Sequence, residues 1–214
     1  LTKNEENDLP SCISSLDWCD DIHVVDSFSD DNTIGIASSL GATTYINPFV
    51  TFAQQRNWSL DNCNLRYNWV LFLDADEHST HLFKNALYDS ILTNPQRYSG
   101  YFCCGKTILG KRWLKLSDNF PKWQFRLLNL GEARFVDVGH GQKEGFVKGS
   151  IGYIKEPYLH FPFSHGITAW RSKHHLYAIK DAKYSLLTPL SLKRLTSEHG
   201  STRNSAIKTL ARRL

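Results

Sequence analysis

The 214-residue chain has no methionine, no CxxC pair, no glycine-rich phosphate loop and no apolar run of membrane-spanning length. The last absence argues against a transmembrane helix, and the first residues do not form a signal peptide. Neither GxGxxG nor GxxxxGK[ST] occurs, so a Rossmann dinucleotide fingerprint and a P-loop are both unsupported. The five cysteines (Cys12, Cys19, Cys63, Cys103, Cys104) are odd in number and irregularly spaced. That spacing argues against a disulfide framework or zinc ribbon and fits a reducing compartment, with the thiols acting as small buried hydrophobes. A broad basic surface is also missing. Net charge is +4, but residues 193–214 hold six Lys or Arg against Glu198 alone, which leaves the other 192 residues at −1. A near-neutral body with a basic tail is not a nucleic-acid footprint. The tail suits either a solvated helix or contact with an anionic membrane surface. Without methionine, and opening inside a polar motif, the chain reads as a fragment whose preceding strand is mostly missing.

What the sequence does contain is organised around Trp69 to Glu77, WVLFLDADE. Five bulky apolar residues suit a strand buried on both faces of a parallel sheet. The strand delivers Asp74 and Asp76, one residue apart, at its C-terminal end, where open α/β sheets bind ligands. Carboxylates there are hard oxygen ligands for Mg²⁺ or Mn²⁺, which can in turn hold a diphosphate. The plainer alternative is a solvated acidic turn after a core strand.

Upstream, strands and helices alternate. A helix capped by Asn7 or Asp8 with Pro10 in its first turn leads to a strand at 21–26. A helix through Ile34, Ala37 and Leu40 stopped by Gly41, a strand at 43–46 and a helix at 52–63 follow. Such alternation predicts a parallel sheet with crossover helices, so that Asp26 and Asp74 end their strands on one edge and face one ligand. After Glu77 the pattern becomes mixed: a helix at 79–92, strands at 101–109 and 123–130, a loop-rich glycine stretch from 131, a strand near Ile151 and a long helix at 167–187. The expected division is a ligand-binding half at 1–98, a second half of the same domain at 99–187, and a basic helical tail at 188–214.

Four spaced motifs in the first 80 residues carry a resemblance: TKNEE, VVDSFSDDNT, QQRN and LFLDADE. Together they resemble the nucleotide-sugar-binding half of the inverting family 2 glycosyltransferases, which have the GT-A fold. FR, VGHGQKEG, HFPFSHG and KHHLYA further downstream are similar to the branch that includes lipopolysaccharide-core β-1,4-glucosyltransferases. The resemblance implies a mostly parallel, Rossmann-like α/β sheet flanked by helices, with a mixed acceptor-side region. It implies a nucleotide-sugar donor, UDP-linked by preference, a glycan or lipid-linked acceptor, no nucleic acid, and a Mg²⁺ or Mn²⁺ ion. Thr2, Asn4 and Glu5 would lie beside the base and ribose, and Asp26 would accept hydrogen bonds from the base. Arg56 would sit near base and diphosphate, Asp74 near ribose and metal, and Asp76 on the metal, with His160 or His165 reaching the metal or the diphosphate from the far side. Direct displacement also needs a base for the acceptor hydroxyl. The acidic pair often found there is replaced by GHGQKEG, leaving Glu144, Asp137 and His140 as candidates. Relatives commonly continue into a membrane-associating segment, which implies work at the inner face of the cytoplasmic membrane.

Simpler roles compete. Asp26 suits a turn cap, Arg56 a surface helix, and His140 a turn. Trp113, Trp123, Phe161, Phe163 and Trp170 suit either sugar stacking or core packing. An aspartyl phosphatase is disfavoured because DADEH is not DxDx[TV] and does not follow a first strand. A non-catalytic carbohydrate-binding or scaffolding domain is the other alternative.

Overall fold

The computed structural model describes residues 1–93, 97–116 and 120–187. The expected basic tail at 188–214 lies outside the described residues. The first half follows the alternation. Helix α1 (Leu9–Ser14) buries Leu9, Cys12 and Ile13, with Pro10 in its first turn. Strand β1 (His23–Asp26) pairs in parallel with β2 (Thr43–Ile46) around helix α2 (Thr33–Ser39), and Gly41 ends that turn at φ +83°. Thr2 adds a parallel bridge to Asp26. Helix α3 (Phe52–Asn62) is capped by Thr51, whose Oγ1 accepts from the Gln54 N–H at 3.2 Å.

The sheet that holds the core is mixed, so the expectation of a mostly parallel sheet holds only in part. Strand β3 (Trp69–Leu71) pairs antiparallel with β7 (Trp123–Asn129), which pairs antiparallel with the long β5 (Tyr98–Leu109). Parallel pairing returns where β10 (Ser150–Tyr153) and β11 (Tyr158–His160) lie along β5. Short β4 (Glu77–His78) closes one edge against β11, and β6 (Arg112–Trp113) folds back on β5. Strand β3 is half-buried at all three positions and stands at the edge of the described sheet with β7 as its ladder partner, so it is not the strand buried on both faces that its apolar run predicts. The apolar run therefore specified a strand without specifying its depth in the sheet or its direction. Helix α4 (His81–Thr93) covers this sheet through Phe83 and Leu87.

The expected glycine-rich loop is instead a hairpin, β8 (Ala133–Val138) and β9 (Gly141–Val147), turning at Gly139 with φ +61°. Glycines inside β9 hid the strand by reading as turn residues. Ala133 and Phe135 point inward and join Phe72, Phe102, Phe125 and Leu128 in one cluster under α3. All five cysteines are unpaired; Cys12, Cys103 and Cys104 are buried as small core hydrophobes, whereas Cys19 and Cys63 are only half-buried, so the expectation of five buried thiols holds for three. Helix α5 (Ile167–Leu187) buries no residue completely. Among the described residues no helix is long and apolar enough to cross a membrane.

Candidate active site

The chain after β3 opens into a cleft of about 1430 Å³. One wall comes from residues 1–5 and 27–28, another from 122–126 and 138–144, and the far side from 160–177.

Asp74 stands at the floor between two arginines. Arg56 Nη2 donates to Asp74 Oδ1 at 3.0 Å, and Arg126 Nη2 donates to Oδ2 at 3.0 Å. The same Arg126 nitrogen donates to Glu77 Oε1 at 2.6 Å, and Glu77 Oε2 accepts from the Asp74 N–H at 2.9 Å. Burial pushes the Asp74 carboxyl up, but Arg126 and Arg56 outweigh it and hold the group well below the usual carboxylate range. Burial, with Arg126 nearby, lowers Arg56 to about 10. Arg126 moves the other way, because Asp74 and Glu77 outweigh its burial. Arg56 is sandwiched between Phe72 and Phe135, 5.1 and 5.6 Å from the ring centres. It is thus a buried clamp residue, not a surface one. Arg56 Nε and Nη1 and Arg126 Nη1 are buried without an acceptor among the described residues. The sequence reading gave Arg126 no role. Its signal was a lone charge within the apolar run WQFRLLNL, where a buried ion has to find partners.

Asp26 does not line the cleft. Its carboxylate is buried and accepts from Thr2 Oγ1 at 2.9 Å, Ser29 Oγ at 2.5 Å and the Ser29 N–H at 2.7 Å. The turn-capping role describes these bonds, and their effect is to tie the N-terminal turn to the loop after β1. Asn4 strengthens the tie: its N–H donates to Ser29 Oγ at 2.7 Å, and its Oδ1 accepts from the Asp30 N–H at 2.9 Å. Asn4 and Phe28 both adopt left-handed backbone, at φ 58° and 60°. A bulky residue in that region is strained. Phe28 is 57% exposed on the cleft wall and was not picked out from the sequence.

The expected metal ligands separate into two groups. Asp76 Oδ2 lies 3.4 Å from His160 Nε2, which β11 brings beside β4. Burial lowers the His160 pKa, but the bond to Asp76 and the Glu77 charge raise it more. His165 instead stands 3.3 Å from both Glu5 Oε2 and Asp8 Oδ2, and Ser164 Oγ donates to Asp8 Oδ2 at 2.5 Å. Burial raises Glu5 despite His165. The ligand atoms of Glu5, Asp8 and His165 all lie within 4.8 Å of one another.

The base candidates separate as well. Glu144 and His140 line the cleft. Asp137 does not; its Oδ2 accepts from Thr51 Oγ1 at 3.0 Å, which ties the hairpin to the start of α3. Above them α5 presents Trp170, Lys173, His174 and Tyr177. Burial lowers the Lys173 pKa, but the charges of Tyr177, Asp76 and Glu5 outweigh that effect and raise it.

The glycosyl transferase family 2 profile matches residues 1–138. The chain belongs to that family. Over 103 residues it is 35% identical to an uncharacterised glycosyltransferase of Rickettsia bellii (strain RML369-C), covering 47% of this chain and 34% of the relative. It thus spans about a third of the length of such relatives. It is 27% identical over 165 residues to the lipopolysaccharide core biosynthesis glycosyltransferase LpsC of Rhizobium meliloti (strain 1021), covering 74% of this chain and 60% of LpsC. The fold is similar to S. aureus TarS 1-349, with a TM-score of 0.51, 14% identity and coverage of 98% of this chain and 67% of TarS. The same protein in complex with UDP gives a TM-score of 0.52 at 14% identity, covering 99% and 68%. This likeness establishes a GT-A fold for the family 2 chain.

Proposed function

We propose that this family 2 chain transfers a hexose, with inversion, from a UDP-linked donor to a glycan or lipid-linked acceptor in polysaccharide or lipopolysaccharide assembly. The observation that carries the reading is the clamp of Arg56 and Arg126 on Asp74, with Asp76 beside it on the same cleft. LpsC supports the acceptor class, and the UDP complex of TarS supports the nucleotide.

The donor set suits a Mg²⁺ or Mn²⁺ ion in part. Asp76 and His160 offer an oxygen and a nitrogen at 3.4 Å separation. Both oxygens of Asp74 already accept from arginine, and His165 belongs with Glu5 and Asp8. Asp76 with His160 would therefore hold the ion, with His165 a step removed. When bound, it would supply positive charge against the leaving diphosphate. The chain's own residues do the rest. Thr2, Asn4 and Glu5 form the wall for base and ribose, and Asp26 braces that wall from behind. The arginine clamp orients Asp74 toward the ribose, and Lys173 brings a further cation to the phosphates. Glu144 or His140 takes the acceptor proton. The basic tail suits peripheral contact with the inner face of the cytoplasmic membrane.

Calorimetric titration with UDP, GDP and ADP, each with and without Mn²⁺, tests the donor site on wild type and Asp76→Ala. UDP should bind, and its gain from Mn²⁺ should vanish in the variant. No binding of any nucleotide sinks the reading.

A further inference from the structure

Resting on that reading, we propose that His140 is the catalytic base and that Asp181 of α5 is its positioning residue. The side chain and backbone of residue 140 are captured together. Its N–H donates to Asp181 Oδ1 at 2.9 Å, and its ring Nδ1 lies 2.9 Å from Oδ2. A carboxylate facing Nδ1 fixes the proton on that nitrogen and leaves Nε2 as the proton acceptor. The ring is held flat as well as turned: it stacks on Tyr177 at 4.4 Å between centres and 17° between planes. His140, Tyr177 and Asp181 all line the cleft.

The hairpin is shaped for this contact. Gly139 has φ +61°, and a Cβ there would lie 2.2 Å from Asp181 Oδ1. Only glycine lets the carboxylate close on the turn. The same stack continues toward the donor floor, because Lys173 Nζ lies 6.0 Å from the centre of the Tyr177 ring and lines the same cleft as Asp76 and Glu5.

In the step assigned to His140, the acceptor hydroxyl gives its proton to Nε2 as its oxygen bonds to the anomeric carbon. The bond from that carbon to the phosphate oxygen breaks, and its electron pair leaves with the nucleoside diphosphate. Asp181 faces the imidazolium that results, and solvent later takes the proton. An acidic pair is thereby replaced by an imidazole whose carboxylate comes from a helix about 40 residues away, as the sequence separation of 41 requires.

The test uses the full chain with UDP-glucose and UDP-N-acetylglucosamine as donors and water as acceptor, following UDP release. His140→Gln should lower kcat at least 100-fold and Asp181→Asn 10- to 100-fold. UDP affinity should stay within threefold in both, and Asp181→Glu should recover part of the rate. Imidazole ¹⁵N spectra should show His140 protonated on Nδ1, with that preference lost in Asp181→Asn. If His140→Gln keeps kcat within threefold while Glu144→Gln abolishes it, the proposal is overturned. Loss of UDP binding in Asp181→Asn makes the carboxylate merely structural and overturns it too. A wild type that binds no nucleotide removes the transferase reading and the base with it; binding of UDP with an unaffected His140→Gln removes the base alone.

Discussion

At the residue scale the cleft floor is an ion cluster of Arg56, Arg126, Asp74 and Glu77, joined by shared hydrogen bonds. Arg126 donates to Asp74 and Glu77 at once, deep in the sheet. Removing it leaves two carboxylates without their shared cation, the costly way to break a buried pair. Arg126→Met should lower unfolding free energy by about 3–5 kcal/mol in urea denaturation. Adding Glu77→Gln should recover part of that loss, since one stranded charge is then gone; independent, additive effects would refute the coupling. The pH dependence follows from the sign of the Asp74 shift. Its folded pKa lies below the unfolded one, so the stability it contributes is complete above the ordinary carboxylate pKa and is lost as pH falls through the folded value. Asp74→Asn should therefore be less stable than wild type by a constant margin from pH 7 to about 5, and the margin should shrink only below about pH 4. Urea titrations at pH 7, 5 and 3 measure it, and a margin that widens on acidification would contradict the assignment.

At the element scale, legibility tracked whether a residue's partner was local. Helix α3, the Gly41 stop and the strand β3 shortly before Asp74 follow from capping, backbone freedom and the apolar run, all of which act over a few residues. The antiparallel placement of β3 against β7 could not be read, because either direction satisfies the same apolar pattern. The β8–β9 hairpin was hidden because only Gly139 among its glycines makes the turn, while Gly145 serves packing within the strand: a Cβ there would come 3.2 Å from Val136. At the site, Asp76, Glu144 and His140 were legible as cleft residues, while Arg126, Phe28 and Asp181 gain meaning only from partners 25 to 52 residues away or from a strained backbone. Close approach of this kind gives a sharp prediction. A Cβ on Gly100 would meet the Phe125 ring at 2.5 Å and the Leu127 carbonyl oxygen at 2.7 Å. Gly100→Ala should cost about 1–3 kcal/mol, as overpacking does. Gly141, also in a strand, has nothing within 4 Å of its Cβ position, so Gly141→Ala should leave the melting temperature within a degree or two. Equal losses in the two variants would show that the sheet yields at position 100.

At the scale of the whole molecule, two regions of unequal burial share one cleft. The sheet core is dense, with Cys103, Cys104 and Leu128 at zero exposure. Helix α5 buries nothing completely and is held by contacts across the cleft mouth: Asp181 on His140, and the bond from His165 to Glu5 and Asp8 just before the helix begins. Local opening should therefore be frequent in α5 and rare in β5 and β7. Hydrogen exchange should show α5 amides exchanging at least tenfold faster than those of β5 and β7. Asp8→Asn weakens one arm of the bridge outside the cleft lining, so it should speed exchange in α5 and in residues 160–166 without touching the core strands. UDP, which this cleft would hold between its N-terminal wall and its far side, should slow both segments together, because a ligand that spans two walls stabilises only the state in which they face each other. Protection confined to residues 1–5 would mean that α5 takes no part in holding the donor.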